Sequence, residues 1–119
     1  CLLSRGLGDV YKRQVMSDAR RSIKLILLAY QQGSVSAVET SMRISFLLKT
    51  LDFDDKIRRK FDIFDEVSAK SAHIPILEQW DNLEKKTKFQ YEREIKKIDN
   101  DYRFKLQDAS ADIWATIEL

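Results

Sequence analysis

Glycine, proline and cysteine are scarce in this chain of 119 residues, which contains three Gly, one Pro and one Cys. Turns and β-hairpins depend on glycine and proline, so their scarcity argues against β-structure. A single cysteine leaves no disulfide framework within the chain and favours a reducing, intracellular and cytoplasmic setting. Leucine, lysine, glutamate, arginine and alanine are abundant instead, and these residues form helices readily. The composition therefore predicts an all-α fold.

The chain also lacks an excess of one charge and a long apolar run. Lys and Arg number 21 against 19 Asp and Glu, and the surplus lies within residues 1–15, so that the remaining residues are neutral. Whole-chain charge thus gives no argument for nucleic acid or an acidic membrane as partner. The longest apolar run, residues 25–30, is far shorter than the ~18–20 residues of a membrane span. We expect no membrane span.

The first residues have an unusual sequence. Residues 1–14 read CLLSRGLGDVYKRQ, and the ending VYKRQ resembles a translated sequencing adapter. On this interpretation residues 1–15 are a non-native segment that precedes Met16. The alternative is a short native arm with Gly6 and Gly8 as helix breakers. The fold is therefore derived from residues 16–119.

The first of three short amphipathic helices is predicted to begin after Ser17, a suitable N-cap, and to end at Gly33. Its apolar residues recur at i, i+3, i+4 and i+7, which places them on one face. They are Ile23, Ile26, Leu27 and Tyr30.

The second helix has a capping box at its start, in which Ser36 and Glu39 satisfy each other's free backbone N–H groups. The acidic residues of 52–55 end this helix and cap the third one. One apolar face of the third helix is formed by Ile57, Phe61, Phe64 and Val67. Residues 16–83 are thus predicted to pack as a small helical head.

A long C-terminal helix is predicted from Pro75 to Leu119, because neither glycine nor proline follows Pro75. Its length would be about 65 Å. Residues 84–119 would form a coiled-coil-like arm that either belongs to the head or extends towards a partner. An apolar seam with spacing close to an 11-residue repeat runs along this arm. The seam consists of Tyr91, Ile95, Ile98, Tyr102, Leu106, Ala109, Ile113 and Ile117.

The seam predicts a non-catalytic interaction or oligomerisation protein. An accessory subunit of a larger assembly is one form that such a protein can take. Its partner would be a second copy or another helical protein, with helix-on-helix packing along the seam. In the alternative, the arm bends back onto the head at residues 85–88 or near Asn100. The seam would then be part of the core.

A different function is a small nucleic-acid-binding regulator. Residues 33–45 resemble a helix-turn-helix in which Ser36 caps the first helix and Ile44 opens the recognition helix. Arg43 departs from this motif because it replaces the usual turn glycine. The basic residues available for phosphate contacts are Arg43, Arg58, Arg59 and Lys60.

Residues that would support catalysis or metal binding are missing from the sequence. His73 is the only histidine, and no CxxC pair accompanies it, so a zinc site is not expected. Gly33 is the only glycine after residue 8, which leaves no glycine-rich phosphate loop. The acidic residues of 52–55 lack the glycine and the terminal glutamate of an EF-hand. We therefore expect no enzyme activity, no cofactor and no metal.

Overall fold

The structure is a computed structural model that describes the backbone of residues 2–75 and 78–117 and the side chains of residues 17–75 and 79–117. These residues form helices and no strand, which confirms the all-α prediction. The helices are α1 (Leu2–Gln31), α2 (Ala37–Leu48), α3 (Asp55–Arg58), α4 (Asp62–Lys70), α5 (Glu78–Asp81) and α6 (Lys85–Thr116), and a 3₁₀ turn at Arg59–Phe61 joins α3 to α4.

The first helix starts earlier than predicted but ends as predicted. α1 begins at Leu2 and passes through Ser17, so the predicted N-cap at Ser17 was wrong. A glycine within a helix costs only about 1 kcal/mol relative to alanine, which is too little to stop a helix with good formers around it. At the other end Gly33 has a φ of 79°. The N–H groups of Gly33 and Ser34 donate to carbonyls of the last turn at 3.0 Å, as in a Schellman motif.

Two later helix starts are capped by the residues that the sequence indicated. Ser36 Oγ accepts the Glu39 N–H of α2 at 3.1 Å. The second half of the capping box is replaced, because the Glu39 carboxylate accepts from Arg43 at 2.8 Å instead. Asp54 Oδ1 accepts the Ile57 N–H at 2.9 Å and caps α3. Both caps depend on residues only three positions apart, which is why local sequence predicts them.

The prediction of one unbroken helix after Pro75 was wrong. The chain turns between α5 and α6, where the Leu83 N–H donates to the Trp80 carbonyl at 3.1 Å and Glu84 has an extended ψ of 151°. Asn82 favours this break because short polar side chains compete for backbone hydrogen bonds. Residues 76–77 and 118–119 of the predicted helix lie outside the described residues.

α2 lies at the centre of the fold and packs against α1, α4 and α6. α6 returns along the head and also contacts α1, α4 and the 3₁₀ turn. A single core therefore joins the head and the long helix. Its largest fully buried side chains include Ile23, Leu27, Ile44, Phe61, Phe64, Ile74, Leu106 and Ile113.

Candidate functional site

The seam that was predicted to bind a partner lies in the chain's own core. Five of its residues are at most 8% exposed, and the other three pack against them partly buried. The five are Ile98, Tyr102, Leu106, Ile113 and Ile117, and the three are Tyr91, Ile95 and Ala109. The observed arrangement is thus the alternative in which the arm folds back. Its predicted bend at residues 85–88 or near Asn100 was wrong, because both positions lie within the continuous α6 and the chain turns at residues 82–84 instead. A partner could reach these side chains only if α6 left the core.

Three of the four basic residues predicted to contact nucleic acid form ion pairs within the chain. The pairs are Arg43 with Glu39, Arg58 with Asp65, and Lys60 with Asp112, at N···O distances of 2.7–2.8 Å. Arg59 is exposed on the 3₁₀ turn. Because each paired carboxylate offsets a positive charge, these residues offer little net attraction for phosphate.

The predicted helix-turn-helix over residues 33–45 is not formed. α2 continues through Arg43, where the turn was expected, and ends at Leu48. Arginine is a good helix former, and its pair with Glu39 one turn earlier stabilises the helix further. The turn that the helix-turn-helix alternative required at Arg43 is therefore absent, and the continuous second helix predicted after Ser36 is confirmed.

A polar pocket of 510 Å³ opens where the loop between α1 and α2 faces α6. Its lining consists of Tyr30, Gln31, Gly33, Ser34, Val35, Ser36, Asp99, Arg103 and Gln107. Asp99 Oδ1 accepts the Ala37 N–H at 2.5 Å, so that a carboxylate of α6 lies at the positive end of the α2 dipole. This hydrogen bond ties α6 to the central helix.

Burial raises the pKa of two acidic groups in this pocket. Burial raises the pKa of the Asp99 carboxyl, although the Ala37 hydrogen bond and the Arg103 charge act in the opposite direction. Burial likewise raises the pKa of the Tyr30 hydroxyl, and the Asp99 charge adds to the effect. Groups with a shifted pKa are frequent in functional sites, and they also occur in structural ion-pair networks. The contact that the structure shows for Asp99 is the hydrogen bond from the Ala37 N–H at the start of α2, and this contact is structural.

Asp99 is a half-buried residue that the sequence analysis did not single out. A signal for its burial was present in the sequence. Asp99 lies one turn after Ile95 and three residues before Tyr102, and both belong to the seam. An acidic residue inside an apolar row needs a hydrogen-bond donor, and the free N–H groups at the start of another helix provide donors.

His73 connects the segment after α4 with α6. Its Nε2 lies 2.5 Å from Glu94 Oε1, and its ring centroid is 6.4 Å from that of Tyr91. Among the side chains of residues 17–75 and 79–117, no cluster of three or more His, Cys, Asp or Glu is suited to a metal ion. None of the helices in this part of the chain has an apolar stretch that would cross a bilayer.

Several large apolar side chains remain outside the core. They are Leu25, Leu28, Phe46, Phe89, Phe104 and Trp114. Lys24 Nζ lies 5.0 Å from the centroid of the Trp114 ring, and this contact joins α1 to the C-terminal half of α6. Leu25 adjoins Lys24, and Leu28 follows one turn later. We call the set of exposed side chains Leu25, Leu28 and Trp114, which lie on these two helices, the α1–α6 surface.

Residues 10–113 match the family described as "Protein of unknown function (DUF2489)". The chain belongs to this family. No curated protein and no solved structure matches the chain. The DUF2489 match includes the entire lining of the polar pocket and both leucines of the α1–α6 surface, and it ends one residue before Trp114.

Proposed function

We propose that this DUF2489 chain is a non-catalytic helical interaction protein that associates through the α1–α6 surface. The partner is a second copy or, in an accessory-subunit role, another helical protein. The supporting observation is that Leu25, Leu28 and Trp114 are 37–60% exposed and lie on two neighbouring helices. Single exposed apolar residues are common on monomers, whereas neighbouring ones mark contact regions.

The chemistry of the α1–α6 surface suits a packed helical partner. Tryptophan and leucine remove a large apolar area from water when they are covered. Lys24 can keep its ammonium group at the rim while its stem lies along the Trp114 ring. The seam has a different role in this proposal, since it holds α6 on the head.

Light scattering of the purified chain over a range of concentrations tests self-association. We expect a dimer or a larger species that becomes a monomer in the Leu28→Glu and Trp114→Glu variants, because a buried carboxylate is costly at an apolar contact. Phe46→Glu is the matched control, since Phe46 is also exposed but lies on α2. Circular dichroism verifies that each variant remains helical.

A chain that stays monomeric at every concentration would contradict self-association. The accessory-subunit form of the proposal would then be tested by the same variants in a pull-down with wild-type chain as reference. Equal loss of the dimer in Phe46→Glu would contradict the assignment to the α1–α6 surface.

A further inference from the structure

The outer face of α6, opposite the core, carries a row of basic and aromatic residues. Exposed side chains recur at spacings of three or four between residues 85 and 103, which places them in one line along the helix. The row consists of Lys85, Phe89, Arg93, Lys96, Asn100 and Arg103, and Lys86, Lys97 and Phe104 lie beside it. We call these nine residues the basic face. It contains no Asp or Glu.

The lysines of the basic face are not paired with carboxylates, whereas Arg103 lies in the polar pocket and its charge acts on Asp99. Within the described part of the chain, the four lysines Lys85, Lys86, Lys96 and Lys97 form no ion pair. The Arg93 guanidinium lies over the Phe89 ring, 6.0 Å from its centroid. This pattern differs from that of Arg43, Arg58 and Lys60, whose charges are offset by carboxylates.

The two phenylalanines of the basic face are among the most exposed large apolar side chains of the described residues. Phe89 is 60% and Phe104 79% exposed. They are 15 residues apart, which corresponds to about 22 Å along a helix. Exposed rings between unpaired cations match the two requirements of a single-stranded nucleic acid, since bases stack on aromatic rings and phosphates attract lysine and arginine.

We infer that the basic face of α6 binds single-stranded nucleic acid. Phosphates contact the lysines and arginines of the row, and unpaired bases stack on Phe89 and Phe104. A lipid surface fits less well, because a helix that lies in a membrane interface needs a continuous apolar face. Here Arg93, Lys96 and Asn100 separate the two rings. This activity is independent of the α1–α6 surface and goes beyond the proposed function.

Fluorescence anisotropy with labelled oligothymidylate and oligouridylate tests the inference. We expect binding at low salt and a slope of log K against log salt on the order of −4, since each of six cations contributes about −0.7 with a single strand. The charge-reversal variant is Lys85→Glu with Arg93→Glu and Lys96→Glu. Its matched control, Lys49→Glu with Lys56→Glu and Arg59→Glu, changes the net charge equally on other parts of the surface.

The charge-reversal variant should lose at least about tenfold in affinity, while the control remains within about threefold of the wild type. Stacking is tested separately by Phe89→Leu with Phe104→Leu, for which we also expect a loss of about tenfold. Phe46→Leu, the exposed phenylalanine of α2, should leave the affinity unchanged.

Three results would overturn the inference. The first is no binding of either oligonucleotide at low salt. The second is an equal loss of affinity in the charge-reversal variant and its control, which would indicate non-specific attraction by the whole molecule. The third is equal or stronger binding to phosphatidylserine vesicles or polyglutamate, which would indicate an anionic lipid surface or an acidic protein as the ligand.

Discussion

The inner and outer faces of α6 both carry aromatic residues, and these residues have opposite roles. Tyr102 is 6% exposed on the inner face, whereas Phe104, two positions later, is 79% exposed. The inner face joins the long helix to α1, α2 and α4 and makes one core. Within the described residues, the outer face adds no side chain to the core cluster, and its four lysines form no ion pair. Aromatic content along a helix is thus a poor guide to stability unless the buried face is known.

The largest expected effect separates the two faces directly. Leu106→Ala removes a fully buried side chain and should lower the free energy of unfolding by about 2–5 kcal/mol. Phe104→Ala should change it by less than about 0.5 kcal/mol, because the ring is already in water. Urea denaturation followed by circular dichroism measures both. Similar losses of stability in the two variants would contradict the assignment of Leu106 to the core and Phe104 to the exposed face.

The next largest effect concerns Asp99, at the edge of the inner face. Asp99→Ala leaves the Ala37 N–H without its acceptor, and we expect a loss of about 1–2 kcal/mol in the free energy of unfolding. Asp99→Asn keeps an oxygen acceptor and removes the charge that burial disfavours. This variant should be at least as stable as the wild type at neutral pH. An asparagine variant as unstable as the alanine variant would contradict this account.

The pH dependence of Asp99 sharpens the same test. Because its pKa is raised by burial in the folded state, the folded chain takes up the proton at a higher pH than the unfolded chain. As the pH falls through the raised pKa, the wild type should gain stability relative to Asp99→Asn, and the gain should stop below the ordinary pKa of aspartate. Urea titrations at neutral and acidic pH measure the difference. A relative loss on acidification would show that the charged form is the favoured one.

A smaller gain is expected from a buried hydroxyl on the inner face. Ser110 is fully buried, and within the described residues its Oγ has no hydrogen-bond partner. Ser110→Ala removes this unsatisfied group and should raise the free energy of unfolding by about 1 kcal/mol. Ser45→Ala is the control, since Ser45 Oγ donates to Asp65 at 3.3 Å. A lower melting temperature for Ser110→Ala would contradict the prediction.

The smallest expected effect is that of an ion pair at the border of the two faces. Lys60 Nζ lies 2.7 Å from Asp112 Oδ2, and the Asp112 side chain is largely exposed. Exposed pairs of this kind contribute about 0.2–1 kcal/mol. A double-mutant cycle with Lys60→Met and Asp112→Asn should give a coupling energy in this range that decreases at high salt. A larger coupling energy that does not depend on salt would show that this pair is shielded from solvent like the core residues.

Local sequence signals predicted the starts and ends that depend on a few neighbouring residues. Gly33 ends α1 through its positive φ, and Ser36 and Asp54 cap the next helices. Each of these features is decided by hydrogen bonds over three to five residues. The break at residues 82–84 and the early start of α1 were missed, because Asn82 is only a weak stop signal and two glycines do not end a long helix.

The candidate sites depended on contacts that local patterns do not contain. The sequence showed that the seam must be covered, and it left open whether another chain or the head covers it. The pair of Asp99 with Ala37 joins residues 62 positions apart, and the pair of Lys60 with Asp112 joins residues 52 apart. Ion pairing also decided which cations stay available, and it moved the candidate nucleic-acid surface from Arg43 and Arg58 to the basic face.

The sequence by itself determined that this protein is helical, where several helices begin and end, and which residues of α6 form its apolar stripe. Helix formation and capping depend on residues within about one turn of each other, so the local sequence determines them. Only the tertiary structure decided that the stripe is core and that the opposite face is open. Burial depends on which distant faces meet, and several helices could have covered the same stripe with a similar gain in apolar area. In the structure α6 folds back and packs its apolar stripe against α2, and the basic face on its other side is therefore exposed.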